Sequence, residues 1–102
     1  MRLRNLEIAL AVMDGRESYR AIGRKYGVSY EAVRQTANRV CKAAVEEYYH
    51  KVQHVEVHAV RDFTRGDMVG LKVWFVSLFR TCWPGLVEEC GRAGVDMERR
   101  DG

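Results

Sequence analysis

The densest run of side chains able to do recognition chemistry is SYEAVRQTANRV, residues 29–40. If Val33 and Thr36 turn inward on a helix, Ser29, Tyr30, Glu31, Arg34, Gln35 and Asn38 turn outward together. Arginine pairs bidentately with guanine edges, glutamine and asparagine with adenine, and glutamate accepts from the cytosine amine. Tyr30, Glu31, Arg34, Gln35 and Asn38 are therefore the candidate base-contacting residues. Arg20, Arg24 and Lys25 precede this run and Arg39 and Lys42 follow, which suits them to phosphates. The bland alternative is a solvated polar face, or an interface for another protein.

Charge distribution alone fits the first reading and an ordinary basic face about equally. The 102 residues carry a formal charge of +3. Residues 1–50 hold nine Arg or Lys against six Asp or Glu, whereas residues 51–102 hold eight of each. Residues 16–42 alone hold seven basic and two acidic side chains. A basic segment joined to a neutral one suits a polyanion partner.

Three helices are needed to position these residues. Leu3, Leu6, Leu10 and Met13 recur at helical spacing and predict a first helix over about 3–13, stopped by Asp14-Gly15. Ser18 is a natural N-cap for a second helix, with Tyr19, Ile22 and Tyr26 on its inner side. Gly23 is small enough for a close helix crossing, and Gly27 can take the left-handed conformation that ends a helix. Val28 and Val33 then plug the crossing. Ser29 caps a third helix, whose inward band of Ala32, Val33, Thr36, Ala37, Val40, Ala44 and Val45 runs unbroken to Tyr48 or Tyr49. That spacing is the one of a helix-turn-helix rather than of a generic helical hairpin.

The segment AIGRKYGVSYEAVRQTANRVCKA, residues 21–43, resembles the promoter-reading helix-turn-helix at the C-terminal end of bacterial primary sigma factors. Ile22-Gly23, Tyr26-Gly27-Val28-Ser29 and Val33-Arg34-Gln35 carry the likeness. The resemblance implies a third helix in the major groove, Arg34 and Gln35 on bases or phosphates, and Ser29 and Tyr30 against the DNA backbone. The family tends to place basic residues where this chain has Tyr30 and Ala32, and Ile and Glu where it has Thr36 and Ala37, so no target sequence carries over. The overall plan also resembles, more distantly, small plasmid or phage repressors of the TrfB kind.

The second half predicts an oligomerisation element. KVQHVEVHAV alternates, with Val55, Val57 and Ala59 on one face, and reads as a strand. A lone strand needs a partner, in the chain or in a second copy. RDFTRGD reads as a turn, with Thr64 or Asp67 as a cap. DMVGLKVWFVSLFR permits helix or strand. Its length favours a helix, with either Val69, Val73, Val76 and Phe79 or Leu71, Trp74, Leu78 and Phe79 on a stripe, and Gly70 weakens it. Pro84-Gly85 punctuates the chain, LVEECGRAG reads as a last short helix, and VDMERRDG as a charged tail.

Other chemistry finds little support. His50, His54 and His58 are four apart, but on a strand His54 and His58 would stand about 13 Å apart. Cys41, Cys82 and Cys90 lack metal or disulfide spacing. There is no phosphate-binding glycine loop and no arranged acidic pair, so no enzyme, metal or cofactor is expected. MRLRNLEIAL is too charged for a signal peptide, and MVGLKVWFVSLF, with Lys72, is too short to span a bilayer. The expected fold is mainly α: a three-helix domain over 1–49 and a strand-plus-helix dimerisation element over 50–102, pairing through Val55, Val57, Val73, Trp74, Val76 and Phe79. The expected partners are double-stranded DNA and a second copy of the chain, in the cytoplasm. The rival expectation is a module that binds RNA polymerase, a sigma factor or another bacterial protein.

Overall fold

Five helices make up the regular structure of residues 3–58 and 61–94, which are those described by the computed structural model. They are α1 (Leu3–Asp14), α2 (Tyr19–Tyr26), α3 (Tyr30–Lys51), α4 (Arg65–Cys82) and α5 (Pro84–Ala93).

In α1, Leu6, Ile8, Ala9, Leu10, Val12 and Met13 are all buried. They occupy more of the circumference than the expected stripe of Leu3, Leu6, Leu10 and Met13. A helix this apolar must be covered on several sides, and α1 packs against all four other helices. Gly15 then reverses the chain with φ 73°.

Ser18 caps α2, its hydroxyl accepting the Ala21 N–H at 3.1 Å. Gly27 ends α2 in the left-handed conformation, φ 70°. The Val28 N–H donates to the Gly23 carbonyl at 2.8 Å, which closes the turn. Ser29 starts α3, accepting the Ala32 N–H at 3.1 Å. At Gly23 the backbone of the turn comes so close that a Cβ there would lie 2.5 Å from the Val28 carbonyl oxygen. The three-residue turn between α2 and α3 therefore depends on a glycine at that position.

The expected strand is overturned. The described residues contain no strand; α3 runs on through Lys51, and residues 52–58 are irregular. Ala59 and Val60, the end of the predicted strand, lie outside the described residues. The backbone donors that a strand would place in a ladder turn back onto α3 instead. Val52 N–H donates to the Tyr48 carbonyl and Val55 N–H to the Tyr49 carbonyl, both at 2.9 Å, with His54 in the left-handed region at φ 58°. No second strand is present among the described residues to pair with it.

Residues 65–82, which allowed helix or strand, form α4. Thr64 and Asp67 make a reciprocal capping box. The Thr64 hydroxyl accepts the Asp67 N–H at 3.1 Å, and the Asp67 carboxylate accepts the Thr64 N–H at 3.0 Å. These hydrogen bonds, that from the Thr64 backbone first, hold the Asp67 carboxyl below its usual range. Neither predicted stripe is the buried one. Met68, Phe75, Leu78, Phe79 and Cys82 face inward, while Val69 and Val73 are exposed. They join residues of α1, α2, α3 and α5 in one hydrophobic cluster. Lys72 of α4 pairs with Asp14 of α1. Arg65 reaches the Glu17 carbonyl and stacks over the Tyr19 ring at 5.2 Å. Pro84 opens α5, and Gly94 closes it at φ 75°. No helix among the described residues is long and apolar enough to cross a membrane.

Two glycine substitutions should move stability in opposite directions. Gly23→Ala forces a methyl against a backbone oxygen that cannot swing aside, and should lower stability by about 2 kcal/mol even after the gain in helix propensity. Gly70→Ala meets nothing within 4 Å inside α4, and should raise stability by up to about 1 kcal/mol. Thermal denaturation of both variants measures the difference. An unchanged midpoint for Gly23→Ala would mean that the crossing is looser than described.

Candidate functional site

The first half of α3 divides the candidate base-contacting residues into two groups. Tyr30 and Gln35 are exposed, as is Arg39 one turn beyond Gln35. Arg34, Asn38 and Lys42 lie on a flank of the helix against residues 62–63, which return alongside it.

Asn38 must be withdrawn as a base-contacting residue. It is 4% exposed, and its amide is committed on both sides. The Nδ2 group donates to the Arg34 carbonyl at 3.2 Å, and Oδ1 accepts the Phe63 N–H at 2.6 Å. This side chain joins the returning chain to α3, and its burial withdraws it from a base edge.

Arg34 is held between two carboxylates. Its Nε donates to Glu31 Oε1 and Oε2 at 3.1 and 3.2 Å, its Nη2 also pairs with Glu31, and its Nη1 donates to Asp62 Oδ2 at 3.2 Å. The other Asp62 oxygen accepts from Lys42 Nζ at 2.5 Å. Gln35 Nε2 reaches Glu31 Oε1 at 3.5 Å. The Arg34 hydrogen bond, first among the causes, holds the Glu31 carboxyl below its usual range. The Lys42 hydrogen bond and then that of Arg34 do the same for Asp62. Hydrogen bonds to Glu31 first, and then to Asp62, raise the Arg34 guanidinium. Glu31 and Arg34 sit three apart on α3, so sequence spacing makes that contact legible. Asp62 carried no such signal, because an acid in a turn gives no indication of which helix it will meet.

The phosphate candidates are distributed over both helices. Arg20, Arg24, Lys25 and Arg39 are exposed and make no ion pair among the described residues. The Arg20 guanidinium lies 5.5 Å from the Tyr30 ring centroid, which links α2 to the N-terminal end of α3. Lys25 lies over Tyr26 at 5.7 Å. Ser29 uses its hydroxyl as the α3 cap. Lys42 is engaged by Asp62.

The residues expected at a dimer face are also scattered. Val73 is 84% exposed, and Val55 is exposed in the irregular segment. Val57, Trp74 and Val76 are half-buried, and Trp74 packs edge-on against Tyr48 with ring centroids 5.2 Å apart. Phe79 is fully buried in the core of a single chain, so it cannot lie on a dimer face as α4 now packs.

Burial accounts for the thiols. Cys41, Cys82 and Cys90 are buried, and burial pushes the Cys41 thiol up to about 12, far from a nucleophile's range. His50 and His58 border an open hollow of about 200 Å³ with Glu46, Glu47, Glu56 and Val57. No group of three His, Cys, Asp or Glu among the described residues is placed to hold a metal. Comparison with protein-family models, curated proteins and solved structures gives no match for this chain.

Asn38→Ala separates the structural role of this residue from a reading role. It strips a partner from the half-buried Phe63 N–H, and should lower stability by roughly 1 kcal/mol. Chemical denaturation measures the loss. A variant as stable as the parent would return Asn38 to the list of candidate base contacts.

Proposed function

We propose that the protein is a sequence-specific, double-stranded-DNA-binding regulator of transcription that sets α3 in the major groove. One observation carries the reading. The Gly23–Gly27–Ser29 turn leaves Tyr30, Gln35 and Arg39 exposed on α3, while α2 brings Arg20 over Tyr30 and carries Arg24 and Lys25 exposed beside it. Gln35 then meets a base edge, and Arg39 and the α2 cations meet phosphates. The resemblance of residues 21–43 to the promoter-reading domain of sigma factors supports the same orientation. In this reading the protein works in the cytoplasm, where its three thiols stay reduced. Two copies joined through the exposed valines of α4 would place two reading helices about one turn of DNA apart, on a palindrome.

A second reading has one observation in its favour. Glu31 and Asp62 put two carboxylates on the flank of the same helix, which suits a protein partner such as RNA polymerase or a sigma factor better than a polyanion.

Selection from a random duplex library discriminates between the two. The DNA reading expects a defined motif, and uniformly weak binding to every duplex would overturn it. Against that motif, Gln35→Ala should lose roughly 1–3 kcal/mol of discrimination at one base pair. Arg39→Ala should weaken all duplexes alike and reduce the slope of log affinity against log salt by about 1. A palindromic motif together with a light-scattering mass twice 11.8 kDa is expected for the pair. A monomer at tens of micromolar would remove the pairing and leave the DNA reading standing.

A further inference from the structure

Asp62 lies outside the helices that the DNA reading uses, yet its carboxylate engages two cations of α3, Arg34 and Lys42. It is not loosely placed. The next residue, Phe63, is fixed by its N–H to the buried Asn38 amide at 2.6 Å and packs against the core. Thr64 after it caps α4. Both Asp62 oxygens are in use, one on Arg34 Nη1 and the other on Lys42 Nζ, which spans two turns of α3. Glu31 holds Arg34 from the opposite side. The four side chains Glu31, Arg34, Lys42 and Asp62 sum to zero charge, so the flank of the reading helix is neutral although its sequence is basic.

Non-specific attraction to duplex DNA comes from cations that displace counterions from phosphates, one increment for each phosphate neutralised. A cation already engaged by a carboxylate contributes less of that increment. We propose that Asp62 is a specificity-determining residue of this surface. It holds Arg34 and Lys42 as ion pairs and so withholds two cations from the phosphates of arbitrary duplex. General attraction is left to Arg20, Arg24, Lys25 and Arg39, and base selection to Gln35. The inference rests on the DNA reading. It adds that selectivity is set partly by lowering the affinity for the wrong sites, and that the residue responsible lies in the segment before α4.

The test compares wild type, Asp62→Asn and Glu88→Gln. Asp62 is half exposed, with 56% of its side chain accessible, so the amide is tolerated, and circular dichroism checks that helicity is kept. Glu88 is exposed on α5 and makes no ion pair among the described residues, so its substitution supplies the same change in net charge away from α3. Fluorescence anisotropy reads binding to a short random-sequence duplex between about 50 and 200 mM salt. Asp62→Asn should bind that duplex about tenfold tighter at the low end, with a salt slope steeper by about 1–2, and the ratio of motif to random affinity should fall. Glu88→Gln should stay within about twofold of wild type, since distant charges are screened. The inference is overturned if Asp62→Asn binds random duplex no tighter than wild type, or if Glu88→Gln tightens it equally. Wild-type binding with no gain in Asp62→Asn removes the inference alone. Absence of duplex binding by all three proteins at low salt removes the DNA reading and the inference with it.

Discussion

The burial of α1 is the constraint from which the rest of the structure follows. Leu6, Ile8, Ala9, Leu10, Val12 and Met13 are each at most 5% exposed, and each large apolar side chain buried contributes about 1.5–3 kcal/mol. Helices α2 and α3 alone cannot surround a helix apolar over so much of its circumference. The remaining cover comes from α4, which brings Met68, Phe75, Leu78 and Phe79 into the same cluster. The start of α4 must therefore lie back beside the first half of α3. From Lys51 to Asn38 that is about 20 Å of helix to retrace. The segment between Lys51 and Arg65 can cover about 40 Å when extended, so it reaches without difficulty. A segment used as a connector in this way has no neighbouring strand among the described residues to pair with, which gives the physical reason why alternating valines at 52–57 form no ladder.

The return is fixed by polar chemistry in a setting where polar chemistry is costly to disrupt. Asn38 is the buried polar side chain among the described residues, and its amide is satisfied at both ends, by Arg34 and by Phe63. No buried side-chain polar atom among the described residues is left without a partner. A buried amide with both ends met favours one register of the returning chain over its neighbours, since a shift by one residue would strand an N–H and a carbonyl at once. That register sets Asp62 within reach of Arg34 and Lys42. The neutral flank of α3 is therefore a consequence of how α1 is covered, transmitted through one asparagine.

The legible parts of this chain were those specified by local chemistry. Ser18, Gly27 and Ser29 mark the ends of α2 and α3 because caps and left-handed glycines act within a few residues, and Thr64 with Asp67 marks α4 for the same reason. The errors came where the outcome depends on distant partners. Residues 51–60 have the alternation of a strand in sequence, but 51–58 meet no partner strand among the described residues. In α4 the apolar content is high on every side, so spacing alone could not choose Met68, Phe75 and Leu78 over Val69 and Val73; the contacts with α1 and α3 chose. Asn38 has the register of an outward residue if Val33 and Thr36 define the inner face. In the structure Thr36 is half-buried while Ala37 and Val33 are fully buried, which rotates the inner face toward Asn38. The apolar run IALAVM in α1 already carried the sign of burial on several sides, and the narrow stripe read from it understated that.

Charge on this surface is divided between helices according to how it is held. The α2 cations Arg20, Arg24 and Lys25 stand exposed, whereas Arg34 and Lys42 of α3 are tied to carboxylates. At physiological salt an exposed charge is felt over about 8 Å, so in the proposed DNA reading the attraction within that range would come from the unpaired α2 cations and Arg39 more than from the paired cations on the flank of α3. In the proposed DNA reading a base edge would be reached by side chains that project from α3, where Gln35 is exposed and makes one long hydrogen bond among the described residues, to Glu31. On that proposal attraction and base recognition would fall to different residues, three of the four cations on α2 and Arg39 with Gln35 on α3, the helices held in fixed relation by the close approach at Gly23. Such a division lets one be altered without the other, because a change in the α2 cations leaves the turn and the Gln35 position untouched.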